Sequence, residues 1–107
     1  MSKISSDIIR GHIDTIILKL LVDKDKYGYE ISKSISLAVN GEYELNEATM
    51  YSSLKRLEQN GYVKSYWGNE TQGGRRKYYK ITAEGKKIYT ENKKNWNFAK
   101  KIIDKLI

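Results

Sequence analysis

The sequence predicts an α+β fold that is mainly α-helical, with three helices, a β-hairpin and a further C-terminal helix. Four segments repeat apolar residues at intervals of three and four, which is the period of an α-helix. Between the third and the fourth lies an aromatic and β-branched segment that is interrupted by glycines, as in a β-hairpin. The 107 residues fit one domain of ordinary size.

The first two helices follow from their apolar pattern and their ends. Apolar pairs recur every four residues from Ile8 to Leu21, and the polar run 23–26 ends this first helix. Its candidate N-caps are Ser5, Ser6 and Asp7. A second apolar stripe ends at Asn40-Gly41, where glycine favours a C-terminal stop. This stripe consists of Tyr27, Ile31, Ile35, Ala38 and Val39.

The third helix has well-marked ends. Asn46 is a favourable N-cap, Glu47 suits the positive end of the helix dipole, and Gly61 closes the helix. One face is apolar and contains Met50, Leu54 and Leu57. Around the other side lie small, polar and basic residues. Thr49, Ser52 and Arg56 point away from the apolar face, Ala48 and Lys55 lie to the sides, and Tyr51 lies on the flank.

A β-hairpin is predicted after the third helix. Its first strand covers residues 62–67, and its loop contains Gln72-Gly73-Gly74. The second strand covers residues 75–81 and begins with Arg75, Arg76 and Lys77. Glycines allow a backbone to approach a partner closely, and adjacent arginines can contact phosphates or enter a narrow minor groove.

The last helix carries an apolar seam. Thr82 can cap this helix, with Glu84 in its first turn. Six residues recur at alternating spacings of three and four, as in a coiled coil. They are Tyr89, Asn92, Trp96, Ala99, Ile103 and Leu106. The sequence offers no later element for this seam to pack on, and a domain of this size builds only a modest core, so the seam is available to an oligomeric partner.

This order of elements predicts a winged helix-turn-helix over residues 1–82 and a C-terminal dimerisation helix over residues 83–107, in one compact unit. In a helix-turn-helix, the second helix of the pair lies in the DNA major groove. The third helix has the required polar and basic side, and the β-hairpin forms the wing. The alternative is a winged-helix module that contacts a protein, without sequence-specific DNA binding, whose basic wing serves only solubility.

The net charge of +7 is unevenly distributed. Residues 1–45 sum to −1, whereas residues 46–82 and residues 83–107 each sum to +4. Three of the four arginines lie in the middle segment, while every basic residue of the last segment is lysine. Because the forked guanidinium suits phosphates and base edges, we assign the middle charge to DNA and most of the last to solvation.

Composition excludes several other classes. There is no Cys and only one His, so a disulfide framework, a thiol nucleophile and a metal site are not expected, and no cofactor is predicted. No apolar run reaches the ~18 residues of a membrane helix, and no signal peptide is recognised, which predicts a cytoplasmic protein. No nucleophile accompanies the acidic residues, so we do not expect an enzyme.

The sequence resembles the PadR-like transcriptional regulators. The resemblance is carried by Leu45-Asn46-Glu47-Ala48-Thr49-Met50-Tyr51 with Leu54-Lys55-Arg56-Leu57-Glu58, by Gly73-Gly74-Arg75-Arg76-Lys77-Tyr78-Tyr79 with Ile81-Thr82 and Gly85, and by Tyr27-Gly28-Tyr29-Glu30-Ile31. It is closest to the small members with one C-terminal helix, of the multidrug-sensing LmrR type.

The resemblance implies a homodimeric repressor that binds a palindromic operator and is released by a small molecule. Its recognition helices would lie about one turn of DNA apart, ~34 Å. By this resemblance, the groove and its phosphates are contacted by Thr49, Tyr51, Ser52, Lys55 and Arg56, with Ala48 beside them. The wing contact comes from Gly74, Arg75, Arg76 and Lys77.

The resemblance also places Trp96 where these proteins carry a ligand-stacking tryptophan. Two indoles related by a two-fold axis can sandwich a planar aromatic effector, or they can simply fill the interface. Lys93 and Lys100 flank Trp96 by about one turn and would repel a cation, so we expect a neutral or anionic effector. The residues expected to line the site with them are Ile8, His12 and Thr15.

Overall fold

The computed structural model describes residues 4–70 and 73–107; Gln72, which the sequence places in the wing loop, lies outside them. The helices of this part are α1 (Ser6–Ile9), α2 (Ile13–Asp23), α3 (Gly28–Ala38), α4 (Glu47–Gln59) and α5 (Ala83–Leu106), with a 3₁₀ turn at Arg10–His12. The strands are β1 (Lys26–Tyr27), β2 (Val63–Trp67) and β3 (Lys77–Ile81). This mainly helical architecture with a small antiparallel sheet confirms the predicted winged-helix fold.

The predicted first helix is divided into two. Ser5 caps α1 by accepting a hydrogen bond from the Asp7 amide at 3.2 Å, and the 3₁₀ turn then separates α1 from α2. A 3₁₀ turn holds three residues instead of 3.6, so the residues before it rotate out of the apolar stripe of α2. Ile8 is accordingly 64% exposed.

The sheet has three antiparallel strands in the order β1-β3-β2, instead of the predicted two. The additional strand, β1, pairs Tyr27 with Tyr78 of β3. The second wing strand begins at Lys77, so the expectation that Arg75 and Arg76 begin it is wrong. The physical reason is local: the carbonyl of Arg76 still accepts from the Gly68 amide at 2.7 Å, but its own amide donates to the carboxylate of Glu70 at 3.1 Å, so the ladder is only half formed there.

The hydrophobic core lies between α2, α3, α4 and the inner face of the sheet. The apolar face predicted for the third helix is confirmed, because Met50, Leu54 and Leu57 are each at most 2% exposed. The Asn46 side chain accepts from the Thr49 amide at 3.2 Å and caps α4 as predicted. The other buried apolar residues are Ile13, Ile17, Leu18, Leu21, Ile31, Ile35, Leu45, Val63, Tyr79 and Ile81.

Helix α5 begins on the core and extends away from it. Thr82 Oγ1 accepts from the Gly85 amide at 3.0 Å, which confirms the predicted cap. The first three residues of the predicted seam contact their own chain: Tyr89 packs on the core, Asn92 hydrogen-bonds to α2, and Trp96 contacts His12. Beyond them, Ala99 is half-buried and the large apolar residues are exposed. They are Phe98, Ile102, Ile103, Leu106 and Ile107.

No helix within residues 4–70 or 73–107 combines the length and the apolar composition that crossing a bilayer requires.

Candidate nucleic-acid and effector sites

The outer face of α4 is a continuous exposed surface. All six residues that the sequence assigned to DNA on this helix are exposed, namely Ala48, Thr49, Tyr51, Ser52, Lys55 and Arg56. Ser53, which the sequence analysis did not single out, is buried on the opposite side and is 1% exposed. The helix therefore separates a packed face from a polar face whose groups are short enough to approach base edges.

Arg56 is not a free side chain on this surface. Its Nε and Nη2 donate to the carboxylate of Asp14 on α2, at 3.1 and 2.6 Å, and Ser53 Oγ donates to the same carboxylate. The hydrogen bond with Asp14 raises the pKa of Arg56 above its ordinary value. Half of the guanidinium is thus engaged in joining α4 to α2, which the sequence analysis did not foresee.

Tyr51 connects the two helices of the helix-turn-helix. Its ring lies over Gly28, the first residue of α3, so that a Cβ at Gly28 would collide with the Tyr51 hydroxyl. Tyr51 remains 44% exposed and keeps part of its ring on the outer face of α4. The absence of a side chain at Gly28 therefore sets how closely α3 and α4 approach at this point.

Glu70 organises the base of the wing. Its carboxylate accepts from the Arg76 amide at 3.1 Å and from the Tyr78 hydroxyl at 3.0 Å. The hydrogen bond from the Arg76 amide lowers the pKa of Glu70, and the hydrogen bond to Glu70 raises the pKa of Tyr78. The neighbouring Arg75 Nε donates to the Gly68 carbonyl at 3.4 Å. A carboxylate that the sequence analysis overlooked therefore holds the basic segment of the wing.

A row of tyrosines supports the same segment from the outer face of the sheet. The guanidinium carbon of Arg76 lies 4.8 Å from the ring centroid of Tyr27, a cation–π contact. Tyr27 packs edge-on against Tyr78, whose ring stacks on Tyr66 at 5.7 Å. Tyr66 ends the row by donating to Asp25 Oδ2 at 2.5 Å, and this hydrogen bond raises its pKa to about 12. The row keeps Arg76 against the sheet.

A groove of about 810 Å³ lies between α2, the end of α3 and α5. Four of the six residues predicted for the effector site line it, namely His12, Thr15, Lys93 and Trp96. Ile8 does not, because the 3₁₀ turn leaves it exposed, and Ile9 lines the groove in its place. Lys100 also lies outside the lining, but its Nζ is 5.8 Å from the Trp96 ring centroid.

The groove is mainly apolar with few charged groups. Its charged lining residues are Lys19, Lys93 and Glu42. Lys19 forms an ion pair with Asp23 at 3.3 Å, whereas Lys93 has no such partner among the described residues. The lining also includes Tyr43 and Tyr89, which the sequence analysis did not assign to this site. Within residues 4–70 and 73–107 no cluster of acidic or imidazole groups is arranged to hold a metal ion.

Comparison with known proteins gives consistent matches over most of the chain. The sequence profile of the transcriptional regulator PadR-like family matches residues 17–91. An uncharacterized protein from Lysinibacillus sphaericus is 48% identical over 101 residues, which covers 94% of this chain and 93% of that protein.

Several solved structures are similar in both fold and sequence. A transcriptional regulator from Clostridium thermocellum superposes with a TM-score of 0.90 at 53% identity, covering 97% of this chain and 98% of that one. A PadR family transcription regulator from Clostridium difficile R20291 gives a TM-score of 0.77 at 45% identity, covering 90% and 98%. A PadR family transcriptional regulator from Eggerthella lenta gives 0.82 at 32% identity, covering 94% and 85%.

Proposed function

This chain belongs to the PadR-like family of transcriptional regulators, and we propose that it is a homodimeric repressor that binds a palindromic DNA operator. The family and the similar structures are transcriptional regulators and not enzymes. The observation that carries the proposal is the exposed polar and basic surface formed by the outer face of α4 together with the wing. A regulator that binds chromosomal DNA would act in the cytoplasm, which is the location we propose.

The outer face of α4 has the character of a recognition helix. Thr49 and Ser52 are small hydroxyl donors and acceptors, and Lys55 and Arg56 can reach phosphates at the edge of the groove. Ala48 leaves room for a base edge, and Tyr51 contributes a phenol hydroxyl and an exposed part of its ring. Because the opposite face of the helix is buried, α4 would enter the groove as a rigid element.

The wing supplies the second contact. Gly74, Arg75, Arg76 and Lys77 are all exposed, and Gly74 has a φ of 83°, which side chains disfavour. The contacts with Glu70 and Tyr27 restrict the backbone and side chain of Arg76, so less conformational entropy would be lost when it meets a phosphate. Residues 46–82, which include both α4 and the wing, carry +4 of the net charge.

A second copy of the chain is the proposed partner of the C-terminal half of α5. Ile103 and Leu106 lie on the predicted seam and are 48% and 78% exposed, and Ile102 and Ile107 beside them are exposed as well. Several exposed aliphatic residues at one helix end are typical of an interaction surface. A two-fold axis near this segment would bury them against their own copies. It would also present two α4 helices to half-sites ~34 Å apart.

The groove beside Trp96 is the proposed effector site. We propose that the chain groups with the LmrR-type members and that a small planar aromatic molecule stacks on Trp96 at the dimer interface. His12 and Thr15 would line the site, with Lys93 and Lys100 close to the ligand. Since Lys93 and Lys100 place positive charge there, a neutral or anionic compound fits better than a cation.

The proposed function is tested by the salt dependence of binding to duplex DNA. The duplex carries the promoter next to this gene, and a scrambled duplex of the same composition is the control. We expect tighter binding to the promoter and a linear fall of log affinity with log salt, with a slope of about −0.9 per phosphate contacted. Equal affinity for both duplexes, or no binding, would favour the alternative of a protein-interaction module.

A further inference from the structure

The carboxylate of Asp14 joins two helices that are distant in sequence. It lies in the first turn of α2 and accepts hydrogen bonds from Ser53 Oγ and from Arg56 Nε and Nη2, all on α4. The Arg56 contacts measure 3.1 and 2.6 Å, and Nη2 is also 3.5 Å from Ser53 Oγ. The Asp14 side chain is 33% exposed, so the pair is partly shielded from water.

The geometry fixes the direction of the guanidinium. An arginine side chain has five N–H donors in one plane, which form two edges that can each bind a carboxylate or a phosphate. Asp14 occupies the edge formed by Nε and Nη2. The Arg56 side chain is 55% exposed, and Nη1 has no acceptor among the described residues. Asp14 therefore sets the orientation of the Arg56 guanidinium, and the donors on Nη1 remain free.

We propose that Asp14 is a positioning residue for operator binding: it orients Arg56 so that the Nη1 side of the guanidinium contacts a DNA phosphate. This inference rests on the proposed function. Asp14 does not touch the DNA and acts through Arg56, while Ser53 holds the carboxylate from the buried side of α4.

The negative charge of Asp14 and its proposed role in orienting Arg56 predict opposite changes in DNA affinity when Asp14 is removed. Asp14 is an anion beside a DNA-binding surface, so charge alone says that its removal should tighten binding. If Asp14 orients Arg56, its removal should weaken binding, although the protein becomes more positive. The sign of the change therefore separates the two effects.

The experiment compares Asp14→Asn with Asp23→Asn on the promoter duplex at fixed salt and again across a salt series. Asp23 is a matched control because it is also on α2 and also pairs with an exposed cation, Lys19. We expect Asp14→Asn to bind about tenfold more weakly, which is the loss of one hydrogen bond to a charged group. Its salt slope should fall by about 0.9, one phosphate contact. Asp23→Asn should bind as the unchanged protein does.

A double variant tests that Asp14 acts through Arg56. Arg56→Ala should weaken binding and reduce the salt slope. Adding Asp14→Asn to it should neither weaken binding further nor lower the slope again, because only the loss of the Asp14 charge then remains, and that loss favours binding. A residue that only stabilises the fold would lower the unfolding temperature of the protein and leave the salt slope unchanged. Circular dichroism at the binding temperature verifies that each variant is folded.

Ser53→Ala provides a second route should Asp14→Asn not fold. Ser53 is buried and cannot reach the DNA. A two- to threefold loss of DNA affinity (~0.5 kcal/mol) in Ser53→Ala would therefore arise from the Asp14 carboxylate, which Ser53 no longer holds. If Asp14→Asn or Ser53→Ala binds DNA as tightly as Asp23→Asn or more tightly, with an unchanged salt slope, the positioning role of Asp14 is overturned. The proposed function would not be affected by that result. Failure of the unchanged protein to bind duplex DNA would instead overturn the proposed function, and this role with it.

Discussion

The imidazole of His12 packs edge-on against the indole of Trp96, with ring centroids 4.5 Å apart and planes inclined at 64°. One turn earlier on α5, Asn92 Nδ2 donates to Thr15 Oγ1 at 3.0 Å. Both contacts attach α5 to residues 12–15, and Asp14 in the same turn binds α4. Residues 12–15 therefore contact both α5 and α4, so a displacement of Trp96 would bear on the helix turn that also holds α4 and would connect the proposed effector groove to it.

The charge of an effector can be tested with matched planar aromatic acids and cations. The protein has two tryptophans, so Trp67→Phe leaves Trp96 as the only source of tryptophan fluorescence. We expect the acid to change this fluorescence with about tenfold higher affinity than the cation (~1.4 kcal/mol), because Lys93 and Lys100 lie beside the ring. Lys93→Gln should reduce the preference. Tighter binding of the cation would contradict the proposed effector chemistry.

The C-terminal half of α5 can be tested as a dimer interface with Ile103→Asp. A carboxylate at this position would be buried against its own copy, at a cost of several kcal/mol, so the dimer should dissociate. Sedimentation velocity gives the mass of the species. Asn97→Asp adds the same charge on a different side of the helix and should remain dimeric. If Ile103→Asp sediments as a dimer, another surface of the chain must join the subunits.

The wing contact can be tested by removing one arginine at a time. Arg75→Ala and Arg76→Ala should each reduce the salt slope of duplex binding by about 0.9, as expected for one lost phosphate contact. Lys101→Ala on α5 removes the same charge away from the wing and should leave the slope unchanged. Unchanged slopes for both arginine variants would remove the wing from the DNA interface.

The elements predicted well from the sequence are those with local signals. Asn46 and Thr82 cap α4 and α5 through hydrogen bonds to amides three residues later, so the determinants of each helix start lie within one turn. The buried face of α4 follows from the spacing of its apolar residues in the same way. The first helix was less predictable, since Gly11 is the one local sign of the 3₁₀ turn that exposes Ile8.

The parts that could not be predicted depend on contacts between distant residues. Strand β1 has two residues and pairs with a strand about fifty positions later, so no alternation reveals it. Asp14 and Arg56 are 42 positions apart, and neither has a neighbour in sequence that indicates its partner. The exposed outer face of α4 can therefore be predicted from the sequence, whereas the hydrogen bonds that anchor Arg56 to Asp14 cannot.

Gly85 is expected to be essential for the close contact of α5 with the wing. A Cβ at this position would collide with the backbone carbonyl of Tyr62, which cannot move without displacing the start of β2. Gly85→Ala should therefore destabilise the protein by roughly 1–3 kcal/mol, measured by thermal or urea unfolding. Gly11→Ala is the control, because no atom lies within 4 Å of its added Cβ, and its stability should be unchanged or slightly higher. Equal stability of the two variants would contradict this packing.

The tyrosine row of the sheet makes a prediction for alkaline pH. The hydrogen bond from Tyr66 to Asp25 favours the neutral phenol and raises the pKa of Tyr66 to about 12 in the folded protein. An unfolded tyrosine has a pKa of about 10, so this contact contributes its full stability below that pH. The contribution is lost as the pH rises through about 12, where the folded protein ionises Tyr66.

The measurement is the ultraviolet absorbance of tyrosinate after a rapid jump to alkaline pH, read before the chain unfolds. Subtracting the curve of Tyr66→Phe from that of the unchanged protein isolates Tyr66, and the difference should be centred at about 12. Asp25→Asn removes the charged acceptor, so the same subtraction in that background should move the midpoint towards the ordinary value of about 10. A midpoint near the ordinary value with Asp25 intact would mean that the hydrogen bond at the end of the row is not formed in solution. The stacking of Tyr66 on Tyr78 would then be its main attachment to the sheet.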